Sequence, residues 1–104
     1  ITFPFNSGTA THVGNLTASR QVAVSCNSSN HGYIYSGQIN LNPLSTIERI
    51  TFPFDSGTAT HVGNMSSTKR NSAGCNSSNY GYSLGGTDDG NRSQIDRITF
   101  PFDS

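Results

Sequence analysis

Ile50-Thr51-Phe52-Pro53-Phe54-Asp55-Ser56-Gly57-Thr58-Ala59-Thr60-His61-Val62 is the stretch that decides the reading. In its first five residues Ile50, Phe52 and Phe54 alternate, the period of a strand with one aromatic face turned inward. Pro53 has no N–H to give a ladder, so strand pairing ends or bulges there. Asp55-Ser56-Gly57 then supplies a side-chain acceptor followed by a residue free to take positive φ, which is turn chemistry. Thr58–Val62 resumes a β-branched run, the mark of a second strand.

The Ile-Thr-Phe-Pro-Phe motif opens at Ile1, Ile50 and Ile98, giving periods of 49 and 48 residues. Residues 1–37 align without gaps on 50–86, and 22 of those 37 pairs are identical. Self-similarity at that period is the signature of an array, a solenoid or a propeller. The chain accordingly divides into a first repeat (1–49), a second (50–97) and the start of a third (98–104). Residues 98–104 match 50–56 letter for letter, whereas a terminal cap is usually atypical and polar. The expectation is therefore a window on a longer array, the alternative being a complete small protein capped by its third copy. The one-residue difference in period falls between Gly37 and Ile50. Length changes localise to loops, so that stretch is expected to be a loop.

Composition narrows the function classes. Only 12% of the 104 residues are charged, half the usual ~25%. Their place is taken by 16 Ser, 11 Thr and 11 Asn. Zero net charge excludes a strongly basic nucleic-acid binder and an acidic disordered tail. The sequence holds no apolar run long enough to span a membrane as a helix, and it shows no helical apolar period. Four short strands per repeat fit instead, and the fold class is all-β. They are placed at Ile47–Phe52 with Ile95–Phe100, Thr58–Val62 with Thr9–Val13, Gln21–Cys26 with Asn71–Cys75, and Gly32–Tyr35 with Gly81–Leu84. Asn27-Ser28-Ser29-Asn30, Asn76-Ser77-Ser78-Asn79 and Asp88-Asp89-Gly90-Asn91 read as the turns between strands. Ile47 is out of phase with Ile50 and Phe52, so either a bulge intervenes or it faces the other side.

The order of landmarks resembles the kelch repeat. Gly85-Gly86 stands where that family has its Gly pair, and Ser36-Gly37 takes the place in the first copy. Tyr82 and Tyr33 match the aromatic before the pair, and Phe54-Asp55 and Phe102-Asp103 match the aromatic-Asp pair of the third strand. The family's Trp is replaced by His61 and His12, and Arg20 and Lys69 match the basic residue that opens a blade. With no Trp in the chain, inter-blade packing must fall to the His rings or the Phe pairs. The resemblance implies four-stranded antiparallel blades, either part of a β-propeller or an open array. The sequence also resembles long repeat regions of tail-fibre and virion proteins of aquatic phages. A closed propeller needs roughly 4–8 blades, so completion must come from further repeats of the same chain, from identical subunits, or from open stacking into a filament. In a ring of identical chains, residues 98–104 of one would compete with residues 1–7 of the next.

Residues with chemistry to offer have mostly structural readings. Cys26 and Cys75 occupy equivalent places, too far apart in adjacent blades for a disulfide, and read as free, partly buried thiols. A tight solenoid would instead allow a bridge. His12, His61 and His31 lack a second ligand at useful spacing and read as packing residues. Asp88-Asp89-Gly90-Asn91 lacks the terminal Glu of a calcium loop and reads as a turn. Glu48-Arg49 and Asp96-Arg97 repeat, which favours a charge pair needed in every blade over a single acid/base site. No cofactor is expected, since neither metal ligands nor the copper ligands of kelch-like oxidases are found. Asn15, Asn27, Asn64, Asn76 and Asn91 stand in Asn-x-Ser/Thr sequons and are the candidate glycan acceptors.

The function these features imply is a non-catalytic, extracellular or virion-surface structural protein, a segment of a phage fibre or surface filament. Its packing residues are expected to be Phe3, Phe5, Phe52, Phe54, Phe100, Phe102, Tyr33 and Tyr82, with Gly37, Gly85 and Gly86 at the turns. Its partners would be further repeats or identical subunits, with glycans as a further class, and neither nucleic acid nor membrane. The alternative is a lectin-like carbohydrate-binding propeller module. It would use the positions that differ between repeats: His31/Tyr80, Tyr35/Leu84, and the loops 38–45 and 87–94.

Overall fold

The chain is all-β, with antiparallel sheets and no helix among its described residues, so no helix is long and apolar enough to cross a membrane. The computed structural model describes residues 1–4, 6–88 and 90–103. Phe5, expected in the packing set, and Asp89, in the expected Asp-Asp-Gly-Asn turn, lie outside the described residues.

The strands are β1 (Val24–Asn27), β2 (His31–Tyr35), β3 (Gln38–Ile39), β4 (Asn42–Thr51), β5 (Thr60–Lys69), β6 (Ala73–Asn76), β7 (Tyr80–Leu84) and β8 (Ile95–Thr99). β1, β2, β4 and β5 form an antiparallel meander, with β3 folded back on the start of β4. β6, β7 and β8 form a second antiparallel sheet. The two sets share one register. Cys26 faces Tyr33 and Tyr33 faces Arg49, as Cys75 faces Tyr82 and Tyr82 faces Arg97. The Asn-Ser-Ser-Asn turns explain why. The Ser28 hydroxyl accepts the His31 N–H at 3.1 Å, and the Ser77 hydroxyl accepts the Tyr80 N–H at 3.2 Å. Each serine thus closes its hairpin in place of a missing ladder bond. β4 and β8 end at Thr51 and Thr99, ahead of Pro53 and Pro101 as the missing N–H requires.

Two expected features differ. Residues 9–13 form no strand, although their sequence is identical to 58–62. Among the described residues the segment's first backbone hydrogen bond is at Asn15, whose N–H donates to the Gly57 carbonyl at 3.0 Å. The expected loop 38–45 is instead β3, a two-residue turn and the start of β4. Asn40 and Leu41 both take positive φ, 51° and 69°, which is the turn whose twist matches a hairpin. Ser36-Gly37 and Gly85-Gly86 also sit at positive φ. A Cβ on Gly37 would come 2.7 Å from the Gln21 carbonyl oxygen, and one on Gly86 3.0 Å from that of Arg70. Those two carbonyls accept the N–H groups of Gln38 and Thr87. The glycines therefore let two backbones meet as well as turn.

The core is Cys26, Tyr33, Tyr35, Ile47, Val62, Met65 and Ile98, with Val24, Phe100 and Phe102 packed against it. Ile47 is fully buried on the face opposite Ile50, and the β4–β5 register breaks between Ile47 and Glu48. The expected phenylalanine core is corrected in part. Phe3 is 84% exposed and Phe52 42%, while Phe54, Phe100, Phe102 and Tyr82 are half-buried. No described element lies over Phe3 or Phe52 as Tyr33 lies over Phe100.

Candidate functional site

The face between the two sheets concentrates the chain's polar and aromatic specialities. The first unit (β1, β2 and β4) presents Cys26, Tyr33, Tyr35 and Arg49 to the second unit (β6, β7 and β8). Tyr33 stacks on Phe100 with ring centroids 5.3 Å apart and an 11° tilt, and its hydroxyl accepts the Phe102 N–H at 3.0 Å. Tyr35 donates its hydroxyl to the Tyr82 carbonyl at 2.7 Å. Arg49 pairs with Asp103. Gly81 is required here by close approach: a Cβ at that position would lie 2.6 Å from the Cys26 sulfur. Burial pushes the Cys26 thiol and the Tyr35 phenol up from their ordinary pKa values. Both therefore stay protonated at neutral pH and act as packing and donor groups.

Each unit also carries a braced carboxylate. Arg20, 3% exposed at its side chain, pairs with the fully buried Glu48 and donates to the Ser36 and Thr46 carbonyls and the Thr46 hydroxyl. The Thr17 N–H donates to Glu48 at 2.7 Å. A looser version stands at the aligned residues of the second half of the chain, where the buried Lys69 ammonium makes no hydrogen bond to a described residue. The Ser66 N–H donates to Asp96 at 3.1 Å, and Lys69 stands 3.8 Å from it. The basic residues and carboxylates were both visible as repeating features, but Glu48 and Asp96 pair with Arg20 and Lys69 rather than with Arg49 and Arg97. The signal was the offset: 28 residues from Arg20 to Glu48, and 27 from Lys69 to Asp96, tracking the one-residue change in period.

Asp96 is the carboxylate whose titration carries a sign. Burial works upward, but the Ser66 hydroxyl and N–H, Lys69 and Gln94 outweigh it and hold its pKa below the usual value. A depressed carboxylate stabilises the fold above its unfolded pKa and loses that contribution as pH falls through the folded one. Urea midpoints of wild type and Asp96→Asn should therefore differ at pH 7, the gap should shrink as pH falls below ~4, where the unfolded carboxyl protonates, and it should close only once the folded carboxyl protonates as well. A gap that persists unchanged into acid would contradict this assignment.

The remaining candidates scatter. His12 and His61 are exposed rather than packed; on β5 the register break at Val62 lets both Val62 and Met65 turn inward while His61 stays outside. His31 packs at a tilt against Tyr33, 6.1 Å between centroids. Both thiols are free, Cys26 buried and Cys75 exposed, which corrects the partly buried reading of the second. Asp88 accepts from the Thr68 hydroxyl and pairs with Arg92, as a turn residue does. No group of three or more His, Cys, Asp or Glu among the described residues is placed to hold a metal. Asn15, Asn27, Asn64, Asn76 and Asn91 are all exposed. Of the sugar-reading positions, Tyr35 is only 2% exposed, and Gln38 and Leu41 are held by Arg70, so neither Tyr35 nor the 38–45 hairpin is a free loop-tip contact. Compared with family models and with curated proteins, the chain matches none.

Proposed function

We propose that the chain is a non-catalytic structural repeat protein, a segment of an extracellular or virion-surface fibre or filament such as a phage fibre. Its unit is a four-stranded kelch-like blade of the β1-β2-β4-β5 kind. The observation that carries the reading is the recurring brace. Arg20–Glu48 and Lys69–Asp96 repeat with their backbone donors, so each carboxylate neutralises a buried cation brought by the segment that precedes its hairpin. A catalytic carboxylate needs one special setting, whereas a brace is needed wherever two units meet. Stability in such an array sums over units and their interfaces. A chain lengthened by one further copy of residues 50–97 should therefore melt in urea at a higher midpoint and with a larger m-value than the 104-residue chain. An unchanged midpoint would sink the array reading.

A further inference from the structure

We infer that the two outer faces of this chain are complementary and join one copy to the next, head to tail. The inference rests on the array reading and names its partner: a second copy of the same chain. The face between the units supplies the template. Cys26, Tyr33 and Arg49 of the first unit meet Gly81, Phe100 and Asp103 of the second. At equivalent positions the second unit turns outward Cys75, Tyr82 and Arg97, and Cys75 and Arg97 are exposed. The first unit's opposite face holds Gly32 and Phe52, with Asp55 beyond, beside an apolar cleft of about 300 Å³ whose lining includes Gly32, Ile50 and Phe52. Tyr82 of one copy thus finds Phe52 of the next as Tyr33 finds Phe100, and Arg97 finds Asp55 as Arg49 finds Asp103.

The substitutions between repeats fit this joint in volume. Within the chain, a Cβ on Gly74 would come 2.6 Å from the Tyr35 hydroxyl and 2.8 Å from a Val24 methyl. At the outer joint Gly74 is replaced by Ser25, which needs that room. The residues opposite are Leu84 in place of Tyr35 and Ala73 in place of Val24, and both are smaller. One face has gained atoms where the facing one has lost them.

The sheet edge is complementary too. β4 is covered by β5, which buries Ile47 under Val62 and Met65. β8 is the equivalent of β4, and among the described residues its outer edge has no strand partner; Ile95 is 66% exposed. The equivalents of Val62 and Met65 are Val13 and Leu16, on a segment whose first part pairs with nothing described, and Val13 is 39% exposed. Residues 9–20 already sit on the first unit as β5 sits on the second, through Thr17 and Arg20 on Glu48. Added to β8 of another copy, they would complete its meander. Residues 1–7 duplicate 98–104 in this arrangement and must swing aside; those described among them are exposed. A contact of this kind is heterologous, and it gives a ring or a filament according to whether its rotation closes.

The test is sedimentation of the 104-residue chain across concentration, with Ile95→Asp and Val13→Asp as end-blocked variants. Both side chains are exposed in the single copy, and circular dichroism checks that each variant folds as wild type does. Wild type should form species above the dimer. Each variant alone should stay monomeric, and their equimolar mixture should stop at twice the monomer mass, since one intact end of each kind remains. A wild type that stays monomeric at millimolar concentration overturns the inference. So does a mixture without dimer, or assembly by either variant alone. The lengthened chain separates the failures: if it gains stability while wild type stays monomeric, the self-joining falls and the array reading stands.

Discussion

Glu48→Ala should cost about 3–5 kcal/mol, the penalty for removing one partner of a buried ion pair. The Glu48 side chain is fully buried and Arg20 is 3% exposed. Alanine would leave the Arg20 guanidinium in the interior without a countercharge and the Thr17 N–H without its acceptor. A chain of this size has about 5–15 kcal/mol in total, so the variant should be largely unfolded in modest urea. Glu48→Gln keeps an acceptor for Thr17 and should fall between. The double variant Arg20→Met, Glu48→Leu should lose far less than the two single replacements together, because no charge is then left unpaired. Asp96→Ala should cost less than Glu48→Ala: its side chain is 11% exposed and Lys69 is 3.8 Å away. Urea melts followed by circular dichroism decide it. A loss below about 1 kcal/mol for Glu48→Ala would show that water reaches Arg20 and that the brace is not a buried one.

What the sequence discloses and what it hides can be read from pairs of identical segments. Both hairpins were legible, because Asn-Ser-Ser-Asn carries its own closing hydrogen bonds and needs no neighbour. The absence of helix was legible for the same local reason. Residues 9–13 and 58–62 share five letters, yet only the second contributes to a strand, because β4 pairs with it and no described strand pairs with the first. Phe3, Phe52 and Phe100 share one motif and run from 84% exposed to half-buried. A strand and a buried ring are properties of a neighbour as much as of a sequence. The motif marks where a phenylalanine can be covered and is silent on whether it is. The hairpin at 38–45 is not legible for another reason: Leu41 at positive φ is a poor turn residue by composition, and it is tolerated at the exposed tip of a turn that Arg70 clamps. The brace was half visible, as two repeating charges whose partners lay on a segment nearly thirty residues away.

Tyr33→Ala should be the other severe change, at about 3–5 kcal/mol for loss of a buried aromatic ring. Tyr33 is 2% exposed, stacks on Phe100, and holds the Phe102 N–H from 69 residues away in the chain. Its removal opens the contact between the two units, so the second sheet should lose amide protection before the first. Tyr33→Phe keeps the stack and should cost only about 1–3 kcal/mol, for a donor left without its acceptor. Tyr82→Ala is the informative companion. Tyr82 holds the same register opposite Cys75 and Arg97 but is half-buried, with no ring stacked on it among the described residues, so its loss should cost less than half as much. If units stack as proposed, that inequality is a property of position and not of the residue. Adding one further copy of residues 50–97 gives Tyr82 a phenylalanine to cover it. In that longer chain Tyr82→Ala should become as costly as Tyr33→Ala. Equal costs in the 104-residue chain, or unequal costs in the longer one, would mean that the tyrosine stabilises its own hairpin and not the joint between units.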